Sequence, residues 1–143
     1  MQKKLPSDSE AILLARAKEG REAWASRDLA SAEVAFLRAW DAIPEPRAEY
    51  DYSQSLARGM VTFFRDTRQF DKVHSWVAIV RELYPPKDPA IEFLVATVHF
   101  EEGSLDAAFA IFDSLYRAYK RRPFKEQDPR YLQFFLDRAG KTK

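Results

Sequence analysis

The chain is 143 residues long, 46% apolar and 14% aromatic, enough to build one compact core and too apolar for disorder away from the ends. Its 23 basic and 22 acidic residues leave a net charge of +1, so no global field draws it to nucleic acid or to an anionic membrane. Four glycines are too few for a turn-rich all-β fold, and the lack of cysteine removes disulfide frameworks, zinc–thiolate sites and thiol nucleophiles.

In chain order, Ser7 with Glu10 reads as a capping box opening a first helix, with Pro6 just outside it. The apolar run 11–15 is too short for a signal-peptide core and is followed by Arg16 and Lys18. No run approaches bilayer-spanning length, so cytoplasmic residence without a membrane partner is the expectation. Ser26-Arg27-Asp28 is a polar break. A second helix over about 29–43 places Leu29, Ala32, Ala35, Phe36, Ala39, Trp40 and Ile43 on one face, and Pro44 and Pro46 stop it. A longer third helix over about 47–66 buries Tyr52, Leu56, Met60, Phe63 and Phe64. The fourth, over about 69–83, carries Phe70, Val73, Trp76, Val77 and Val80 and ends before Pro85-Pro86.

Asp88-Pro89 supplies an N-cap and a first-turn proline for the fifth helix, which Gly103-Ser104 breaks, with Ser104 as the next cap. The sixth helix runs to about 120. A basic loop over 121–127 follows, then a second Asp-Pro start at Asp128-Pro129, and a short seventh helix with Tyr131, Phe134 and Phe135 before Gly140.

The breaks divide the first six helices into three pairs whose second helices superimpose. Leu29, Phe70 and Leu105 align, as do Ala32, Val73 and Ala108; Phe36, Val77 and Phe112; and Ala39, Val80 and Leu115. Together with Gly20, Asp28 and Pro44, this pattern resembles a tetratricopeptide repeat (TPR). Small residues let the helices of one pair approach, an aromatic fills the gap to the next pair, and proline ends the hairpin. The fit is uneven: 41 positions separate Leu29 from Phe70 and 35 separate Phe70 from Leu105, against about 34 in the family. Glu19 stands where the first helix usually has an apolar residue, and Val73 and Val80 exceed the usual alanine.

The resemblance implies an all-α, TPR-like α-solenoid of three antiparallel helix pairs (about 7–44, 47–85 and 88–120) with a seventh, capping helix (about 128–139), forming a single domain over 1–143. It also implies a concave groove lined by the first helix of each pair. The matched positions are Ala17, Arg21 and Trp24; Ser55, Arg58, Thr62 and Arg65; and Phe93, Thr97 and Phe100. Arginines for carboxylates and aromatic anchors make this a peptide- or protein-binding surface. The Lys/Asn clamp by which some family members hold chaperone tails is missing, its positions being Ala17, Arg21, Gly59, Ala90 and Leu94.

A secondary candidate is the basic loop with Arg117, Lys120, Arg121, Arg122 and Lys125, interleaved with Tyr119 and Phe124. Its plainer reading is a solvated loop with Phe124 tucked under the seventh helix and Glu126 and Asp128 weakening its field. The run from Arg122-Pro123-Phe124 to Tyr131 also resembles bacterial tetratricopeptide proteins.

No constellation points to catalysis. His74 and His99 lack metal-ligand spacing, the adjacent Glu101 and Glu102 point to different sides of a helix, and no phosphate-binding or nucleophile-elbow motif occurs. The expected function is a non-catalytic adaptor for a protein or peptide, without cofactor, metal or nucleic acid. The alternative is a dedicated chaperone or toxin-neutralising protein for one cognate partner. A small enzyme or nucleic-acid binder rests on the basic loop and histidines alone. Self-association stays open should Trp24, Trp40 or Trp76 be exposed.

Overall fold

The computed structural model describes residues 3–140, so the outermost ends of the expected 1–143 domain lie outside the described residues. Seven α-helices carry the fold: α1 (Ser7–Ala25), α2 (Leu29–Asp41), α3 (Tyr52–Asp66), α4 (Phe70–Leu83), α5 (Pro89–Glu102), α6 (Leu105–Tyr119) and α7 (Pro129–Ala139). Two 3₁₀ turns, Arg47–Glu49 and Arg122–Phe124, accompany them, and no strand occurs among the described residues. Packing is closest within α1–α2, α3–α4 and α5–α6. Each is an antiparallel pair closed by a two- or three-residue connection. The chain is therefore an all-α array of three helix pairs with a seventh helix behind them.

Local chemistry sets most boundaries. Asp28 accepts the Ser31 amide at 3.2 Å, Asp88 accepts those of Ala90 and Ile91 at 3.0 and 3.2 Å, and Asp128 accepts that of Arg130 at 2.9 Å. Hydrogen bonding from the Ser31 side chain and then its amide holds the Asp28 carboxyl below its ordinary range, and the Arg130 amide and then its side chain do the same for Asp128. Gly103 and Gly140 end α5 and α7 in the left-handed conformation.

Three expectations need correction. The Ser7–Glu10 capping box does not form: Ser7 is already helical, Pro6 occupies the cap position, and the Glu10 carboxylate instead accepts the Tyr52 hydroxyl at 2.7 Å. Ser104 opens α6 without a side-chain cap. The long third helix is a 3₁₀ turn followed by a shorter α3, because the Ser53 hydroxyl donates to the Arg47 carbonyl and the Arg47 guanidinium to the Trp40 carbonyl. The extra residues of the second pair thus lie in the connection before α3, and the helices themselves keep ordinary lengths.

Most aligned positions of the second helices are buried. Ala32, Ala39, Val73, Ala108 and Phe112 are fully so, and Val80, Leu115 and Phe36 nearly so, while Leu105 is exposed. Gly20 shows why small residues are needed: a Cβ there would lie 2.6 Å from Phe36 Cε1. Phe36 is itself held edge-on by Trp24 and Phe63, so it cannot move aside freely. Gly59, on α3, has empty space where its Cβ would point. The two glycines therefore predict opposite signs. Gly20→Val should destabilise by roughly 1–3 kcal/mol through overpacking. Gly59→Ala should stabilise by about 0.5–1 kcal/mol through helix propensity. Urea denaturation of both variants checks this, and a shared sign would overturn it.

The core has a central part and two ends. The central cluster joins all three pairs through Phe36, Ala57, Met60, Phe63, Phe64, Val73, Trp76, Ile91 and Val98. At the N-terminal end, Leu5, Leu13, Ala17, Ile43 and Tyr50 pack together. At the C-terminal end, Phe93, Phe112, Phe124, Tyr131 and Phe135 join α5, α6, the second 3₁₀ turn and α7. None of the three tryptophans is exposed: Trp76 is buried, and Trp40 lies edge-on against it at 5.0 Å beneath the Arg47 guanidinium.

Candidate partner-binding face

The first helices α1, α3 and α5 follow one another in space, tied by Trp24 against Phe63 at 5.0 Å and by the Arg65 guanidinium donating to Thr97 Oγ1 at 2.8 Å. Between α1 and α3 the chain leaves a gap. One end is pinned by Tyr52 on Glu10 and the other by Trp24 on Phe63. Leu13, Leu14, Ala17, Leu56, Gly59 and Met60 line a slot of about 340 Å³, with Arg21 and Ser55 also on its wall and Phe36 and Trp24 contributing ring surface. It exists because small residues, Ala17, Ser55 and Gly59, face one another where larger ones would close it. Its size and apolar lining suit a large apolar side chain or a small apolar ligand.

A second cavity, of about 350 Å³, lies on the other side of α3. Arg58, Pro89, Ala90, Tyr119, Arg122, Pro123 and Gln127 border it. Ser55 and Gly59 of α3 face the first cavity and Arg58 the second, so the two adjoin across that helix.

The residues expected to line one groove separate into two groups. Arg21, Trp24 and Arg58 border these cavities, and Thr62 is half-buried. The others are committed to contacts within the fold. Phe93 is 4% exposed and Thr97 1%. Phe93 packs against Phe112, Phe124 and Tyr131, and Thr97 is held between Arg65 and the Leu94 carbonyl. Phe100 lies edge-on to Tyr131 and Phe134 with the Arg130 guanidinium over its ring. Arg65 is spent on Asp66 and Thr97. The physical reason is α7, which lies on the face of α5 that the repeat pattern leaves open. The aromatic expectation for α5 thus becomes core.

The basic loop divides in the same way. Arg117 pairs with Asp113 at 2.9 Å, the Lys120 ammonium lies 6.0 Å from the centre of the Tyr116 ring, and Phe124 is buried beneath α7. All five cations are exposed, and Arg121, Arg122 and Lys125 have no acidic partner among the described residues. Arg122 is the loop cation that joins the second cavity, a juxtaposition with Arg58 that no local sequence signal announces.

Polar groups tie α7 down. Glu101 accepts from Arg130 at 2.7 Å and from the Tyr131 hydroxyl at 3.0 Å, and lies 3.9 Å from Arg68. Burial, with Glu101 alongside, pushes the Tyr131 phenol up to about 12. A raised folded-state value favours the neutral phenol. This contribution to stability is therefore fully present below about pH 10 and is lost as pH rises through about 12. Urea titrations across that window should show wild type losing more stability than Tyr131→Phe; parallel curves would contradict the assignment.

Glu102 turns the other way, accepting from His74 at 2.8 Å with His99 Nδ1 at 3.4 Å. The two adjacent glutamates thus serve different neighbours, as helical geometry requires. No group of three or more His, Asp or Glu side chains positioned to hold a metal ion occurs among the described residues. No known protein family, curated protein or solved structure matches the chain.

Proposed function

We propose that this chain is a non-catalytic, TPR-like binding protein that holds a peptide segment of a partner by seating a large apolar side chain between α1 and α3. The observation that carries this reading is the preformed slot of about 340 Å³, open to solvent beside the exposed Arg21. A preformed apolar pocket ringed by polar groups supplies the central anchor that peptide recognition needs without the cost of opening the core. The repeat resemblance supports the choice of face, since the slot lies between two first helices. The close fit of Gly20 on Phe36 and the buried Ala32, Ala39 and Ala108 are the packing that such repeats use. The chemistry-bearing residues support a binding role over catalysis: Glu101 and Glu102 are committed to holding α7 and α4.

The test is a phage-displayed random peptide library panned on the intact chain. Selected peptides should share a large apolar residue and should lose at least roughly tenfold in affinity on Gly59→Leu, which fills the slot. Gly59 has room for a side chain and leucine favours helix, so that variant stays folded. Selected peptides indifferent to Gly59→Leu would sink the proposal.

A further inference from the structure

Most arginines of the fold already have an acidic partner. Arg16, Arg47, Arg65, Arg68, Arg81, Arg117, Arg130 and Arg138 pair with Glu19, Glu45, Asp66, Glu101, Glu92, Asp113, Glu101 and Asp106 respectively. Arg21, Arg58 and Arg122 have no acidic partner among the described residues, and these three border the two cavities flanking α3. Arg27, Arg38 and Arg121 also lack one but border neither cavity. Three of the six unpaired arginines thus border the two cavities that flank α3.

From this we infer that the cleft between Arg58 and Arg122 receives a carboxylate, so that the partner is an acidic peptide segment whose apolar anchor occupies the neighbouring slot. The inference rests on the binding face proposed above and adds the chemistry of its second half. Two arginines from different elements, Arg58 of α3 and Arg122 of the 3₁₀ turn after α6, border one cavity of about 350 Å³ together with Tyr119 and Gln127. All four can donate, and guanidinium forks match planar carboxylates. The Asp88 carboxylate already caps the N-terminus of α5 beside the lining Pro89, accepting from the Ala90 and Ile91 amides, so those amides offer no cradle for a phosphate and the two arginine side chains are left to a planar carboxylate. The cleft depends on Arg122, which lies outside the three helix pairs, so it is not a groove that repeats alone would make.

The experiment extends the peptide selection. Binders should be enriched in Asp or Glu near the apolar residue. The selected peptide, its Asp/Glu→Asn/Gln version and the R58Q/R122Q variant then form a double-mutant cycle read by fluorescence anisotropy, with circular dichroism confirming the variant's helicity. Removing either set of charges should weaken binding roughly three- to tenfold at low salt, and removing both should add little more. Peptides without acidic enrichment, or an unchanged affinity for R58Q/R122Q, overturn the inference. If Gly59→Leu still abolishes binding in that case, the slot reading stands alone; if it does not, both fall. Preference for a phosphopeptide, or for a single-stranded oligonucleotide lost on R58Q/R122Q, overturns the carboxylate assignment.

Discussion

Phe112→Ala is expected to cost about 3–5 kcal/mol, a large share of the roughly 5–15 kcal/mol that holds a domain of this size. Phe112 is fully buried, with ring centroids 5.3 to 6.3 Å from Phe93, Phe124, Tyr131 and Phe134. Those rings come from α5, the second 3₁₀ turn and α7, so truncation leaves a cavity that no single helix can collapse into. The damage should also be local. In stacked helix pairs each unit contacts only its neighbours, and the C-terminal aromatic cluster is distinct from the central one. Hydrogen exchange in the variant should lose protection over α5, α6 and α7 while α1 to α4 keep most of theirs. Uniform loss along the chain would show instead a single cooperative unit.

The pairing of helices was legible in the sequence because its punctuation is chemical. Asp88-Pro89 and Asp128-Pro129 bear acceptors that reach first-turn amides, and Gly103 and Gly140 take a backbone conformation that side chains resist. The start of α3 was not legible. Residues 47–51 have helical composition, but tertiary bonds from Ser53 and Arg47 hold that stretch as a 3₁₀ turn. The candidate face was half legible. Repeat geometry says which side of α1, α3 and α5 faces away from the second helices, and that side does carry Arg21, Trp24 and Arg58. It cannot say that α7 returns to cover the end of that face, which turns Phe93 into core, or that Arg65 is taken up by Asp66 and Thr97. A hint was present in the aromatic richness of both α5 and α7, since Phe93, Phe100, Tyr131, Phe134 and Phe135 would otherwise be left in water. The approach of Arg122 to Arg58 depends on how the loop folds back, and periodicity holds no information about it.

Phe63→Ala should likewise cost about 3–5 kcal/mol, but with a second consequence. Phe63 is fully buried and meets Trp24 at 5.0 Å, Phe36 at 5.4 Å and Phe64 at 5.2 Å. With the Trp40–Trp76 contact it is one of the aromatic keys between the first pair and the second, and Trp24 and Phe36 also wall the slot. Its loss therefore frees Trp24 and loosens the spacing of α1 and α3 as well as weakening the core. Stability and peptide affinity should fall together in Phe63→Ala. In Gly59→Leu they should separate, with affinity falling while stability holds or rises. That contrast distinguishes a slot that binds because it is preformed from one that merely happens to be open. If Phe63→Ala kept full affinity at a temperature where the variant remains folded, preorganisation by the aromatic key would not be what the face relies on. If instead Gly59→Leu and Phe63→Ala lost affinity in proportion to their stabilities, the effect would lie in folding and not in the slot.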